Sequence, residues 1–414
     1  MTFFDMLSTF AIGYPSLMAV VWITGGIYYY FHWERGQPRV PELTGNDMPP
    51  RVTILVPCHN EGANINETID HLFRHNYRNL EVIAINDGSR DDTGMRLDAL
   101  AEQYPGLKVL HQTNQGKAGA MNHGLSHATG EFIVGIDGDA VLDYDAVYWM
   151  VQHFLKSPRV GCVTGNPRVR TRSTAIGKIQ TGEFSSIIGL IKRAQRIYGM
   201  VFTISGVICA FRRTALKQVD GWSTDMITED IDISWRLQLS GWQVRYEPRA
   251  LCWVLMPETL RGLYMQRLRW AQGGAEAFLR HFTTATTLRN RRFWPLIVEY
   301  IVSVLWCYSM LALLVTGLVR LVLGMDVGSE DSLLHWLGGA LFLLCLLQFC
   351  VSFMIDSRYD RNMINCLFWC IWYPVVYWML NMATVVVAFP IAVVRRRGQP
   401  ATWRSPDRGE RFRD

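Results

Sequence analysis

Charge is what this sequence has little of: 19% of its 414 residues are Asp, Glu, Lys or Arg, against roughly 25% in ordinary soluble chains. The shortfall is local, collecting in four long uncharged runs that a plain soluble enzyme would not contain. Half of the residues are hydrophobic, which excludes a disordered chain, and the mean hydropathy of +0.09 lies just above zero. No CxxC pair occurs among the nine cysteines, so neither a zinc site nor a disulfide framework is suggested. Cys307, Cys345, Cys350, Cys366 and Cys370 lie inside apolar runs, while Cys58, Cys162, Cys209 and Cys252 are far apart, which fits isolated reduced thiols. A GxGxxG turn is missing after the first strand-like run, and no GxxxxGKS or GxxxxGKT loop is present. A dinucleotide oxidoreductase and a P-loop kinase therefore lose their main support.

Positive charge is concentrated at one end. Of the net +5, residues 395–414 supply +4, from seven Arg against two Asp and one Glu. The nearly neutral remainder argues against a nucleic-acid partner, whose phosphates need many cations along one face. The basic tail reads as a juxtamembrane segment near anionic lipid.

Residues 7–31 contain no Asp, Glu, Lys or Arg, which exceeds the ~20 residues needed to cross a bilayer. An acidic start (Asp5) and aromatics at the far end (Trp22, Tyr28, Tyr29, Tyr30) favour a retained anchor over a cleaved signal peptide. Three further uncharged runs, 300–319, 332–355 and 362–394, can also span. The last is about 50 Å long as helix against a core of about 30 Å, so part of it can lie on the surface or re-enter, with Pro374 and Pro390 as breaks. Arg289, Arg291 and Arg292 precede the second run and Asp326, Glu330 and Asp331 follow it, which puts the soluble region on the cytoplasmic side. Three simple crossings after that region would leave the basic tail outside, against the same rule. The expected layout is an amino-terminal transmembrane helix (1–33), a linker (34–50), a catalytic domain with interfacial helices (51–285), a transmembrane region of about three spans (286–394) and the tail (395–414).

Between the runs the composition becomes that of an α/β domain. Segments 52–56, 80–85, 107–110 and 132–136 are short, β-rich and bounded by turn residues, with helix-like stretches between them. That alternation predicts a mostly parallel sheet. In such sheets ligands gather beyond the carboxyl ends of the strands, and the polar residues obey that rule. The first strand ends in Pro57, His59, Asn60 and Glu61, the second in Asn86 and Asp87, and the fourth in Asp137-Gly138-Asp139. Two carboxylates one residue apart can aim at one hard cation, Mg2+ or Mn2+. Lys117 offers a phosphate or base contact. Downstream, Thr228-Glu229-Asp230 leads into a helix, where a carboxylate can serve as base or merely cap the first turn. Gln266, Arg269 and Trp270 share one face of a helix from about residue 258, beside Arg267. Arginine can hold phosphate there and the indole can stack on a sugar, or both can sit at lipid headgroups. Residues 186–199 read as an interfacial helix with an apolar stripe (Ile187, Ile188, Ile191, Ala194, Tyr198) and Lys192, Arg193 and Arg196 to the side.

In this order, and flanked by membrane spans, these motifs resemble the processive family 2 glycosyltransferases of the GT-A fold, to which cellulose, chitin and hyaluronan synthases belong. Segments 165–174, 182–191, 204–207, 246–250 and 403–409 look like the bacterial branch that makes β-1,6-linked N-acetylglucosamine polymer for biofilm matrix. The likeness departs at the amino end, where one span stands instead of the two of the enterobacterial form. It implies UDP-N-acetylglucosamine as donor, inversion at C1, and a growing polysaccharide as acceptor. It also implies that Pro57, Asn60, Glu61 and Asp87 hold the nucleotide, and that Asp137 and Asp139 bind diphosphate and metal, Asp139 directly. Asp230 would be the base, Arg269 a diphosphate contact and Trp270 the floor of the acceptor site, lined also by Ser205, Gly206, Gln266 and Arg267. A small two-span partner and activation by cyclic di-GMP belong to the same expectation, as does a bacterial inner-membrane location. The spans are expected to form part of an export path, with Trp369, Trp372, Tyr373, Tyr377 and Trp378 either as its aromatic wall or as aromatic-belt and packing residues. Another polysaccharide synthase is the nearest rival; a non-catalytic membrane scaffold or transporter is a distant one, since it need not keep Asp139, Asp230 and Arg269 together.

Overall fold

The computed structural model describes residues 3–38, 40–41, 48–324, 332–395 and 398. Most of the basic tail, part of the 34–50 linker and the acidic loop with Asp326, Glu330 and Asp331 lie outside the described residues.

Among the described residues, eight strands form one sheet: β1 (Val52–Cys58), β2 (Leu80–Asp87), β3 (Leu107–Gln112), β4 (Phe132–Ile136), β5 (Val141–Leu142), β6 (Val160–Val169), β7 (Ile208–Arg212) and β8 (Gln243–Val254). Their order is β3-β2-β1-β4-β7-β6-β8-β5. β3, β2, β1 and β4 are parallel, as the β-rich runs predict, and β6 pairs β8 in parallel. β7 enters antiparallel between β4 and β6, and β5 pairs β8 antiparallel, so the sheet is mixed. Alternate residues of one strand feed two cores. Val52, Ile54 and Val56 pack on one face and Leu55 on the other, and Val82 and Ile83 divide in the same way. Helices cover both faces, which is why these strands read as continuous apolar runs.

Among the described residues, four helices are long and apolar enough to cross a membrane: Phe4–Glu34, Leu288–Val322, Trp336–Asp356 and Val376–Val394. The long last run is divided. Residues Arg361–Trp372 form a 3-10 segment, Pro374 stands in the first turn of the helix Tyr373–Val394, and Pro390 lies inside that helix without ending it. Arg395, at its far end, pairs with both carboxylate oxygens of Glu276 at 2.8 Å. That pair keeps the start of the tail beside the catalytic domain, where three simple crossings would have put it on the far side.

Two expectations are corrected where the first span meets the domain. Glu34, expected to open a linker, continues the first helix as a π-helical turn and is 3% exposed. Arg193, expected at the side of an interfacial helix, is fully buried. It meets Glu34 at 2.7 Å and Asp356 at 2.9 Å, and Arg168 of β6 joins the same Asp356 at 2.9 Å. Lys192 is buried as well. The reason is local: Phe184–Ile191 is π-helical, so its wider turns rotate the following residues off the face that a 3.6-residue period assigns them.

Candidate active site

A cavity of about 1390 Å³ opens beyond the carboxyl ends of the strands and continues between the membrane helices. Its wall brings together Glu61, Lys117, Asp137, Asp139, Ser205, Gly206, Asp230, Gln266, Arg267, Arg269 and Trp270. Residues spread over some two hundred positions thus meet, and Asp139 and Asp230 face one space.

The Asp137-Gly138-Asp139 turn follows β4 directly. A Cβ on Gly138 would stand 3.0 Å from Glu61 Cγ and 3.3 Å from Pro57 O, so glycine lets the turn close on the end of β1. Pro57 and Glu61 thereby support the acidic turn. Asn60, held at φ 57, uses its side-chain oxygen to accept from Arg90 N at 2.8 Å, and its own N–H donates to Ser89 Oγ at 3.0 Å. It ties the β1 and β2 loops together and, like Pro57 and Asp87, lies outside the cavity wall. Asp87 is fully buried. One of its oxygens accepts from Gln112 Nε2 at 2.7 Å and from the Gln115 N–H at 2.8 Å. The other, Oδ2, has no hydrogen-bond partner among the described residues, an expensive state for a buried acceptor.

The three acids of 229–232 have three different fates. Asp232 is spent on structure, accepting from Ser223 Oγ at 2.7 Å, Arg236 Nε at 2.7 Å and His281 Nε2 at 2.8 Å. Burial pushes its pKa up, but these partners outweigh it and bring it to about 2. Glu229 pairs with Lys117 at 3.2 Å, and the same ammonium reaches Asp137 at 2.6 Å and donates to Gly206 O at 3.1 Å. Burial opposes the charge on Lys117, yet Asp137 and Glu229 hold its pKa above the ordinary value. Asp230 is the acid left over. Burial first, then the charge of Glu229, raise its pKa to about 6, a value suited to a base near neutral pH. It is close to Gly206, whose added Cβ would lie 3.2 Å from Asp230 Oδ2 and 3.3 Å from Lys117 Nζ. Thr228 makes no side-chain cap hydrogen bond, while Asp230 Oδ1 accepts from the first-turn Ile231 N–H at 2.9 Å and leaves Oδ2 toward Gly206.

The helix Leu260–Ala285 supplies the opposite wall. It comes close because Gly273 has no side chain: a Cβ there would overlap Thr228 Oγ1 at 1.9 Å. Arg269 is exposed to the cavity and makes no ion pair among the described residues, so its guanidinium is available to an anion. Arg267 is different. Its charge is taken by Glu183 at 2.5 Å, it donates to Gln266 Oε1 at 3.1 Å, and its guanidinium stacks 4.1 Å over the Trp270 ring. Arg267 therefore orients Trp270 and Gln266. Glu183, which the sequence reading missed, is the buried anchor of that unit.

Deeper in, the wall is made by Glu299, Tyr300, Ser303, Cys307 and Asn381. None of Trp369, Trp372, Tyr373, Tyr377 and Trp378 lines it. Tyr373 and Tyr377 pack instead with Leu263, Phe349 and Cys370, Trp369 packs against the same cluster, and Trp378 meets Trp306 edge-on, whereas Trp372 is exposed. None of the nine cysteines forms a disulfide among the described residues.

Residues 49–273 match the family described as Glycosyltransferase like family 2. The chain belongs to that family. It is a glycosyltransferase of the GT-A type, with its mixed sheet set between membrane-length helices. Poly-beta-1,6-N-acetyl-D-glucosamine synthase of Staphylococcus aureus (strain COL) is 41% identical over 415 residues, covering 99% of each chain. The synthase of the same name from Staphylococcus epidermidis is 41% identical over 404 residues, covering 97% of this chain and 98% of that one. Among solved structures, the mannosyltransferase PcManGT of Pyrobaculum calidifontis, in complex with GDP-Man and Mn2+, superposes with a TM-score of 0.64 at 22% identity. It covers 94% of this chain and 99% of its own. That likeness is one of fold.

Proposed function

We propose that this chain is a membrane-embedded, inverting, processive glycosyltransferase. In this reading it polymerises N-acetylglucosamine from UDP-N-acetylglucosamine into β-1,6-linked exopolysaccharide of biofilm matrix, coupled to export. One observation supports it above the others: the cavity that holds Asp137, Asp139, Asp230 and Arg269 runs on between membrane helices to Ser303 and Asn381. A chain extended at the first group of residues has a path at the second. The synthases of two staphylococci, alike over nearly the whole length, favour this polymer over hyaluronan, chitin or cellulose.

Asp137 and Asp139 present hard oxygen donors to the cavity, and no group of three or more His, Cys, Asp or Glu side chains among the described residues forms a complete metal cage. That donor set fits Mg2+ or Mn2+ held jointly with diphosphate oxygens and water. When bound, the cation supplies positive charge to the departing diphosphate. Asp87 accepts a ring N–H of the uracil at Oδ2, and Pro57, Asn60 and Glu61 hold the loops around it. Lys117 and Arg269 contribute charge to the phosphates. Asp230 takes the proton from the acceptor 6-hydroxyl, which attacks C1 on the face opposite UDP, so an α donor gives a β link. Trp270 floors the acceptor sugar, with Gln266, Ser205 and Gly206 around it. Alignment and preorganised charge supply most of the rate.

The cluster of Arg289, Arg291 and Arg292 supports a cytoplasmic catalytic domain in a bacterial inner membrane. The reading includes a small two-span partner that shares a cyclic di-GMP site with this chain. The decisive experiment supplies labelled UDP-N-acetylglucosamine to membranes carrying the full chain, with and without such a partner. The product should be cleaved by a hexosaminidase specific for β-1,6-linked N-acetylglucosamine. A polymer resistant to it refutes the linkage, and vesicles that make polymer yet release none into the lumen refute export by this chain.

A further inference from the structure

Four Lys or Arg side chains are buried among the described residues: Arg168, Lys192, Arg193 and Arg267. The three arginines each hold a carboxylate, Asp356, Glu34 and Glu183 respectively. Lys192 does not. Its Nζ donates to Ser205 Oγ at 3.0 Å and, more weakly, to Thr164 Oγ1 at 3.5 Å, and it makes no ion pair among the described residues. An ammonium removed from water and met only by neutral hydroxyls is costly, and burial accordingly pulls its pKa down to about 8 against the pull of Asp230. Folding alone gives no reason to keep a charge there, since a methionine would fill the same space.

Place indicates purpose. Lys192 lines the cavity and follows the π-helical Phe184–Ile191, whose Leu190 packs on Ile23 and Ile355 of two membrane helices. It thus follows the helix that packs on the membrane spans, while its own hydroxyl partners lie on β6 and just before β7. The Ser205-Gly206 step lies between two lysines: Lys117 donates to Gly206 O at 3.1 Å, and Lys192 reaches Ser205 Oγ. Lys117 is committed to Asp137 and Glu229 on the nucleotide side, which leaves Lys192 for the sugar that enters from the membrane side.

We infer that Lys192 is an acceptor-binding residue: its remaining N–H donates to a hydroxyl or acetamido oxygen of the sugar at the growing end and holds that sugar within reach of Asp230. The inference rests on the proposed transfer reaction and adds to it the group that reads the acceptor. Sequence alone gave no sign of it, because an amphipathic pattern places lysine beside the apolar stripe rather than inside the protein.

The test uses the full chain in membranes, with UDP-N-acetylglucosamine, Mn2+ and short β-1,6-linked N-acetylglucosamine oligosaccharides as acceptor. Lys192→Met and Lys192→Gln should raise the acceptor KM by about tenfold or more, the size of one charge-assisted hydrogen bond. UDP release to water without acceptor should fall by much less than sugar transfer does. An unchanged acceptor KM in both variants, or an equal fall in water hydrolysis and sugar transfer, overturns the inference. The second variant keeps a polar group at the site, so a folding defect confined to the first does not decide the matter. If the unmodified chain itself releases no UDP, the transfer reading fails and this inference with it; if it turns over normally while acceptor KM ignores Lys192, only the inference fails.

Discussion

Two of the charge clusters among the described residues are built on opposite plans. Beneath the sheet, Glu34, Asp356, Arg168 and Arg193 form a closed set of two acids and two bases, each no more than 3% exposed. At the rim, Asp137, Asp139, Glu229 and Asp230 stand around Lys117 in one cavity, and Arg269, one of the other cations lining it, pairs with none of them. The balanced set joins the first and third membrane helices to β6. The unbalanced set has room and an excess of negative charge, so it suits a cation and a phosphorylated substrate. Balance marks structure and imbalance marks chemistry, and the two should respond differently to substitution.

The sharpest contrast comes from one substitution in each. Asp230→Asn should lower polymerisation by about 10²- to 10⁴-fold, the usual worth of a general base, with the melting temperature in detergent unchanged. Arg193→Met should do the reverse. Leaving Glu34 and Asp356 short of a partner should cost about 3–5 kcal/mol of stability, read by thermal unfolding, while UDP release per folded molecule holds. If Asp230→Asn melts the protein, or Arg193→Met mainly slows a stable one, the distinction fails.

A smaller effect is expected from pH. Burial and Glu229 raise the Asp230 pKa to about 6, so its proton-accepting form is lost as pH falls through that value, well above the range of an ordinary carboxylate. The transfer rate should then fall about tenfold per pH unit below about 6. Glu229→Gln removes the second cause and should move that limb to lower pH; a limb that stays in place, or moves up, contradicts the assignment. The smallest effect belongs to Glu183→Gln. Weakening the hold on Arg267, and so on Trp270, should raise acceptor KM by about fivefold, the worth of roughly 1 kcal/mol, with donor KM unaltered.

Much of the rim was legible in the sequence because its acids follow apolar strands directly. Asp87 ends β2 and Asp137-Gly138-Asp139 follows β4, so a strand pattern also predicts where the side chains gather. The parallel half of the sheet was readable for the same reason. The antiparallel insertion of β7 was not, because local pattern does not record which neighbour a strand chooses. The closed cluster escaped as well. Its members are spread over more than three hundred positions, and the π-helical stretch 184–191 defeats an ordinary helical period. Glu183 and Lys192 were hidden by that same stretch. The aromatic run 369–378 allowed two readings, and packing with Phe349 and Leu263 decides for the plainer one.

The central claim is that the rim cluster and Asp87 receive one nucleotide together. A structure of the full chain with UDP and Mn2+ tests it most directly. The account predicts the metal on Asp139, the diphosphate beside Arg269 and the uracil against Asp87 Oδ2. A nucleotide bound elsewhere, or bound here with Asp87 and Asp139 both untouched, would contradict it.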